Sequence, residues 1–170
     1  MFTTKKLCRA GIIASLYVVL TLAFSAISFG PIQMRVSEML TILPLFYVES
    51  IPALFVGCLL SNVIGGFGIY DIGLGSAATL IAAIATFFIG VAVRNKVLKF
   101  PLGALPPVLA NAFIIPIIFI LVPEASDQTY LINVLSVGAG EFLSVFVFGL
   151  ILYVLLIKLR SAEKTGKIFR

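Results

Sequence analysis

The chain has 170 residues, 61% of them hydrophobic and only 11% charged, with no histidine or tryptophan, and its mean hydropathy is +1.21. That leaves too little polar surface to coat a soluble globule, so the composition excludes a soluble enzyme and predicts an all-α integral membrane protein. The length suffices for several spans of about 20 residues each, and residues 1–170 read as a single membrane domain.

In chain order, the apolar runs and their flanks predict six transmembrane helices, at residues 7–29, 31–48, 51–66, 73–93, 104–122 and 131–157. The breaks carry turn chemistry: Gly30-Pro31, Glu49-Ser-Ile-Pro52, Gly65-Gly-Phe-Gly68, the basic Arg94–Lys99 followed by Pro101, and the polar Glu124–Thr129. The first run follows Lys5, Lys6 and Arg9, as in a signal peptide. It is too long for the apolar core of such a peptide and many spans follow, so it reads as a retained helix. Cys8 and Cys58 read as unpaired packing residues.

The second run contains Arg35 and Glu38. An ionised side chain at mid-bilayer costs roughly 2.5–3.5 kcal/mol on insertion scales, so such residues face a partner, a cavity or a ligand. Three residues apart, the two would share a helix face and could pair with each other. The alternative is a polar site that a solute reaches from one side of the membrane. The second and third runs, Val36–Tyr47 and Ile51–Ile64, hold 12 and 14 residues, about 18–21 Å against roughly 30 Å of hydrocarbon. Short, Gly/Pro-interrupted spans point to a transporter's binding region. A four-helix reading fuses these two runs through Glu49 and Pro52 and leaves the number of crossings to reconcile.

Six crossings place every basic residue except Arg35 on one side of the membrane. The positive-inside rule then puts both termini in the cytoplasm, with Glu49 in an inner turn. The net charge of +5 is thus an orientation signal, with anionic lipid as its further use and no nucleic acid implied.

There is no G-x-x-x-x-G-K-[ST] loop, no His for zinc or general-base chemistry and no G-x-S-x-G elbow. The chain is therefore read as a non-enzyme without metal or cofactor, and uphill transport would need an ion gradient or a partner. Glu141 falls roughly 15 Å into the last span, where it must be neutralised, paired or facing a wet pocket. Ser136, Gly140 and Ser144 form a small-residue stripe that lets helices approach. Asn62 suits either an interhelical hydrogen bond or ligand contact, and Asp71 either a helix cap or first-turn charge or a site residue. Asn111 counts to the inner half and reads as interhelical glue. Most of the fifteen phenylalanines read as lipid-facing or core, with one or two near Phe67 and Tyr70 as candidates to stack on a planar ligand.

The stretch Gln33-x-Arg35-x-Ser37-Glu38-x-Leu40, continuing to Leu43-Pro44 and later Asn62, Gly65 and Gly66, resembles the queuosine-precursor transporters of the QueT type, which are substrate-binding S components of energy-coupling-factor transporters. The resemblance implies a six-helix S-component bundle in the cell membrane and an outward-opening pocket for a 7-deazaguanine such as 7-aminomethyl-7-deazaguanine. The substrate-binding candidates are then Arg35, Glu38 and Asn62 from the matching residues, with Asp71 and Glu141 from the reading of charge and depth. The implied partners are a transmembrane coupling protein and two ATPase subunits, which would use the ATP. The family's alanines four apart on the first helix match Ala10 and Ala14; beside them Gly11 and Ser15 complete a small-residue face for the coupling protein. Three alternatives remain: a stand-alone carrier coupled to protons or sodium through Glu141 or Glu38, an S component for another small vitamin-like solute, and a membrane scaffold protein.

Overall fold

The computed structural model describes residues 3–28, 34–66, 68–122 and 128–164. The predicted break at Gly30-Pro31, most of that at Glu124–Thr129, and Gln33, Phe67, Lys167 and Arg170 lie outside these residues. Every regular element among the described residues is helical. Helix α1 spans Thr4–Ala23, α2 is a 3-10 helix at Val36–Leu45, and α3 spans Ser50–Gly65. Helix α4 joins a π-wound turn, Asp71–Gly75, to Ser76–Ala92, and α5 is Lys96–Leu121. Helix α6 runs from Tyr130–Phe142 through a π-wound segment, Leu143–Phe148, into Gly149–Lys164. Helices α1, α4, α5 and α6 are long and apolar enough to cross a membrane, whereas α2 and α3 are shorter apolar helices.

The element around which the others pack is α2, which contacts α1, α3, α4, α5 and both the π-wound and final parts of α6. Eight of its ten residues are buried. Such burial is the condition under which irregular backbone is tolerated at membrane depth. The 3-10 winding also solves the length deficit: ten residues rise about 20 Å at 2.0 Å each, against about 15 Å in an α-helix. Pro44 favours that choice, because it removes a backbone donor and clashes with the carbonyl four residues back in an α-helix.

The far end of α2 is clamped by glycines. A Cβ on Gly90 of α4 would lie 2.8 Å from the Leu45 Cα, and one on Gly103 of α5 only 2.6 Å from Leu45 Cδ2. Gly57 performs the same service between α3 and α1, where a Cβ would sit 2.9 Å from the Tyr17 Cβ. Between α6 and α5, a Cβ on Gly138 would lie 3.3 Å from the Ala112 Cβ.

Several predicted boundaries are corrected. Helix α1 ends at Ala23, with Phe24 as its cap and a single further turn at Ser25–Ser28; the apolar run to Phe29 continues because hydropathy registers the surroundings and not the backbone. The second helix spans ten residues where 31–48 was expected. It is not fused to the third: the chain turns at Phe46–Glu49, where the Phe46 and Tyr47 N–H groups both donate to Leu43 O at 2.9 Å. Pro52 sits in the first turn of α3, where its missing donor has no intrahelical partner to lose. The largest shift is in α5, which begins at Lys96 where the reading began at 104. Asn95 caps it, accepting from Val97 N at 2.9 Å, and the helix runs on through Pro101, Pro106, Pro107 and Pro116. Pro107 cannot donate to the carbonyl of Gly103, four residues back; Thr86 of α4 takes that acceptor instead, its hydroxyl donating at 3.0 Å. At the other end of the chain, α6 outlasts its apolar run, which ends at Ile157, because a helix can carry its polar last turns past the hydrocarbon.

Candidate functional site

At one end of the bundle lie Lys6, Arg9, Arg94, Lys96, Lys99 and Arg160. Arg9 pairs with buried Glu49 at 2.5 Å and lies 4.2 Å over the Tyr47 ring. Arg160 sits 4.7 Å from the same ring and donates to Phe46 O at 2.8 Å. Lys99 donates to Gly90 O at 2.6 Å. A cavity of about 770 Å³ lies here, walled by Lys6, Arg9, Tyr47, Glu49, Phe87 and Arg160.

Away from this end, the interior of the bundle holds a cluster of buried polar side chains drawn from every helix. Arg35 precedes α2 with an extended backbone (φ −85°, ψ 103°) and is 5% exposed. It meets Asp71, the first residue of α4, at 3.4 Å. The Arg35–Glu38 ion pair considered for a helix face does not form, because Arg35 lies outside the helix. Glu38, fully buried, instead accepts from the Tyr17 hydroxyl of α1. One turn on, Thr21 Oγ1 lies 2.7 Å from Ser37 Oγ and donates to Tyr17 O at 2.9 Å. Asn62 of α3 donates to Asp71 O at 2.8 Å. Gly75 leaves room for this arrangement: a Cβ there would stand 3.2 Å from Asn62 Nδ2 and 3.8 Å from Arg35 Nη1.

The two buried carboxyls belong to one neighbourhood. Glu141 of α6 is 3% exposed and within electrostatic range of Glu38 and Arg35, and Asn111 of α5 stands beside both Glu38 and Glu141. Among the described residues, six polar atoms of this interior are buried without a hydrogen bond of good geometry: Glu38 Oε2, Asn62 Oδ1, Ser76 Oγ, Asn111 Nδ2, Glu141 Oε2 and Ser144 Oγ, although the Asn111 amide lies near enough to interact with both carboxyls. Each such orphan costs about 1–3 kcal/mol, more for a charged group, so native proteins leave few of them without a functional reason. The irregular backbone gathers around them as well. Glu38 is on the 3-10 helix, Ser76 follows one π-wound segment and Ser144 lies in the other; single-turn π segments recur at functional sites. Among the described residues no three His, Cys, Asp or Glu side chains gather as metal ligands.

All five candidates named from the sequence thus lie in or beside this interior. Asn62 commits its amide donor to a neighbouring helix and leaves its acceptor open. Asp71 is a first-turn acid without a capping bond of its own. Tyr70 is 43% exposed at the start of α4, and Phe67 lies outside the described residues. Asn111, read as interhelical glue, stands beside two carboxyls on other helices, though not where an inner-half count placed it. With α5 starting at Lys96, Asn111 is about 22 Å along the helix and past its midpoint, whereas a start at 104 would put it only about 10 Å in. The sequence reading did not reach Tyr17, Thr21, Ser37, Ser76 or Ser144 as members. Tyr17 and Thr21 carried a usable signal, since two hydroxyl side chains four apart in an apolar span share a helix face.

A second feature is a groove of about 300 Å³ between α1 and α3, almost wholly apolar, lined by Leu7, Ala10, Ala14, Pro52, Ala53 and Val56. The Ala10/Ala14 pair therefore lies in a concave face; at Gly11, which also lines it, an added Cβ would meet nothing within 4 Å.

The chain matches the family model described as QueT transporter over residues 7–158. A curated relative from Lactococcus lactis subsp. cremoris (strain MG1363), named queuosine precursor transporter QueT, is 42% identical over 80 residues, which cover 46% of this chain and 47% of the relative. The chain spans about half the length of the curated relative it matches. No solved structure matches it.

Proposed function

The chain belongs to the QueT transporter family, and from that premise we propose that it is the substrate-binding membrane subunit of an ATP-driven, energy-coupling-factor importer for a queuosine precursor, a 7-deazaguanine such as 7-aminomethyl-7-deazaguanine. The observation that carries this reading is the set of buried polar atoms without a hydrogen bond of good geometry on Glu38, Asn62, Asn111 and Glu141. A 7-deazaguanine presents a ring N–H and an exocyclic amine side by side, a carbonyl next to them and, in the aminomethyl form, a cationic tail. A carboxylate is the natural acceptor for adjacent donors, amides complement the carbonyl edge, and a second carboxylate suits the cation. Glu38 is assigned to the base and Glu141 or Asp71 to the tail, with Arg35 donating to the carbonyl or holding the acids in place.

In this reading the six helices all cross the cell membrane with both termini in the cytoplasm, in keeping with Arg9, Arg94, Lys96, Lys99 and Arg160 at one end. The groove at Ala10 and Ala14 receives the coupling protein, whose two ATPase partners supply the energy. The discriminating experiment is reconstitution. Alone in liposomes the protein should bind the base but not accumulate it under a proton or sodium gradient. Uptake should appear only with the coupling protein, both ATPase subunits and ATP. Gradient-driven accumulation by the chain alone would replace this reading with that of a secondary carrier.

A further inference from the structure

A smaller cavity at the basic end, about 270 Å³, is walled by Arg94, Lys96 and Lys99 around the start of α5 and by Arg160 of α6, with Leu45 and Tyr153 among its other walls. It differs from its larger neighbour in one respect that matters electrostatically. The larger cavity includes Glu49, which pairs with Arg9; the smaller has no carboxylate among its lining residues, and the two ion pairs formed by described residues, Arg9–Glu49 and Arg35–Asp71, involve none of its four cations.

Two of these cations, Lys99 and Arg160, are held in place. Lys99 Nζ donates to Gly90 O at 2.6 Å and Arg160 Nη2 to Phe46 O at 2.8 Å. The Tyr153 hydroxyl donates to Lys96 O at 2.7 Å, pinning α6 to the first turn of α5. Neutral carbonyls fix Lys99 and Arg160 without compensating their charge, and four like charges around one cavity repel unless an anion sits among them. The space equals the share of roughly nine waters at about 30 Å³ each, enough for a phosphodiester with part of its glycerol. Leu45, Phe46 and Ile157 give it an apolar wall as well, and both helices carry exposed apolar side chains nearby in sequence, with Val97 79%, Leu98 53% and Leu159 49% exposed.

We propose that this cavity binds the phosphate headgroup of an anionic phospholipid, with the acyl chains lying along the exposed apolar faces of α5 and α6. A free phosphate would satisfy the same cations but would gain nothing from the apolar wall of Leu45, Phe46 and Ile157, so the lipid is the favoured source. Basic pockets between helices at a membrane surface are a recognised form of headgroup site.

The test uses the full-length protein purified in a neutral detergent, with phosphatidylglycerol titrated against a phosphatidylcholine background and bound lipid counted by native mass spectrometry. Inorganic phosphate and glycerol 3-phosphate are run as separate competitors. The double variant Arg94→Gln/Lys96→Gln should bind phosphatidylglycerol roughly 30-fold more weakly, equivalent to about 2 kcal/mol at 1.36 kcal/mol per decade. Lys5→Gln/Lys158→Gln, with the same change in net charge outside the cavity, should stay near wild type. Arg94→Lys/Lys96→Arg, which keeps the charge, should retain binding and controls for misfolding. Equal weakening in both neutralised pairs, or none in either, overturns the site in favour of diffuse attraction. Displacement of the lipid by inorganic phosphate at comparable concentration overturns the lipid in favour of a soluble anion.

Discussion

Replacing Glu38 by glutamine separates the binding role of this residue from its structural one. Glu38 is fully buried, one oxygen accepts from the Tyr17 hydroxyl, and the other has no hydrogen bond of good geometry. In Glu38→Gln the amide oxygen can keep the Tyr17 bond, which places the amide –NH2 where the open carboxylate oxygen stood. An acceptor facing the donors of a 7-deazaguanine then becomes a donor facing donors. The lost interaction is a charge-assisted hydrogen bond worth about 1.5–3 kcal/mol net, so affinity should fall roughly 10- to 150-fold at 1.36 kcal/mol per decade. Thermal stability should change little, because shape and the Tyr17 contact are preserved. The orienting role of Tyr17 is tested by the pair: in Tyr17→Phe/Glu38→Gln nothing holds the amide oxygen away from the site. The double variant should therefore bind more tightly than the two single losses predict when added, a coupling expected of groups in direct contact. The assay is calorimetric titration of wild type, these variants and Glu141→Gln with the aminomethyl base, its nitrile precursor and guanine. A loss in Glu141→Gln confined to the aminomethyl ligand would assign that carboxylate to the cationic tail. Unchanged affinity in both Glu38→Gln and Glu141→Gln would refute carboxylate readout of the base.

Ala10→Trp or Ala14→Trp, which fills the groove between α1 and α3, should leave binding by the isolated protein intact and abolish coupled uptake; normal uptake with both replaced would move the docking face elsewhere. Gly90→Ala and Gly103→Ala should each destabilise by about 1–3 kcal/mol through overpacking against Leu45. Trimming with Leu45→Ala should relieve only Gly103→Ala, because Gly90 meets backbone atoms of Leu45 and Gly103 meets its side-chain tip; thermal melts of the single and paired variants read this out. Thr86→Val should cost up to about 1.7 kcal/mol, the upper end for hydrogen bonds within a membrane protein. The same substitution should cost less in a Pro107→Ala background, where the backbone regains an N–H at that position that can donate to Gly103 O in place of Thr86; equal cost in both backgrounds would show that the Thr86 bond is not compensating for the proline.

How much of this was legible in the chain follows from how far each signal reaches. Hydropathy averages over a span, so it located all six apolar helices yet misjudged the start of α5 by eight residues. Basic and proline-rich residues can continue a helix when a cap such as Asn95 begins it and a neighbour such as Thr86 takes up a freed carbonyl. Charge in an apolar run is conspicuous because desolvation makes it costly, which is why Arg35, Glu38 and Glu141 stood out. Hydroxyls and amides are cheap enough to occur in any membrane helix, so Asn111 read only as interhelical glue, Ser144 only as part of a small-residue stripe, and Tyr17 and Ser76 went unnoticed before their helices were brought together. The sequence by itself determined the membrane class, the apolar helices and the conspicuous charges, because each depends on composition within about one span. Only the tertiary structure decided that Arg35 meets Asp71 while Glu38 meets Tyr17, and that α2 is a 3-10 helix at the centre of the bundle. Those outcomes depend on side chains brought together from different helices and on close approach at Gly57, Gly90 and Gly103, which no single stretch of sequence records.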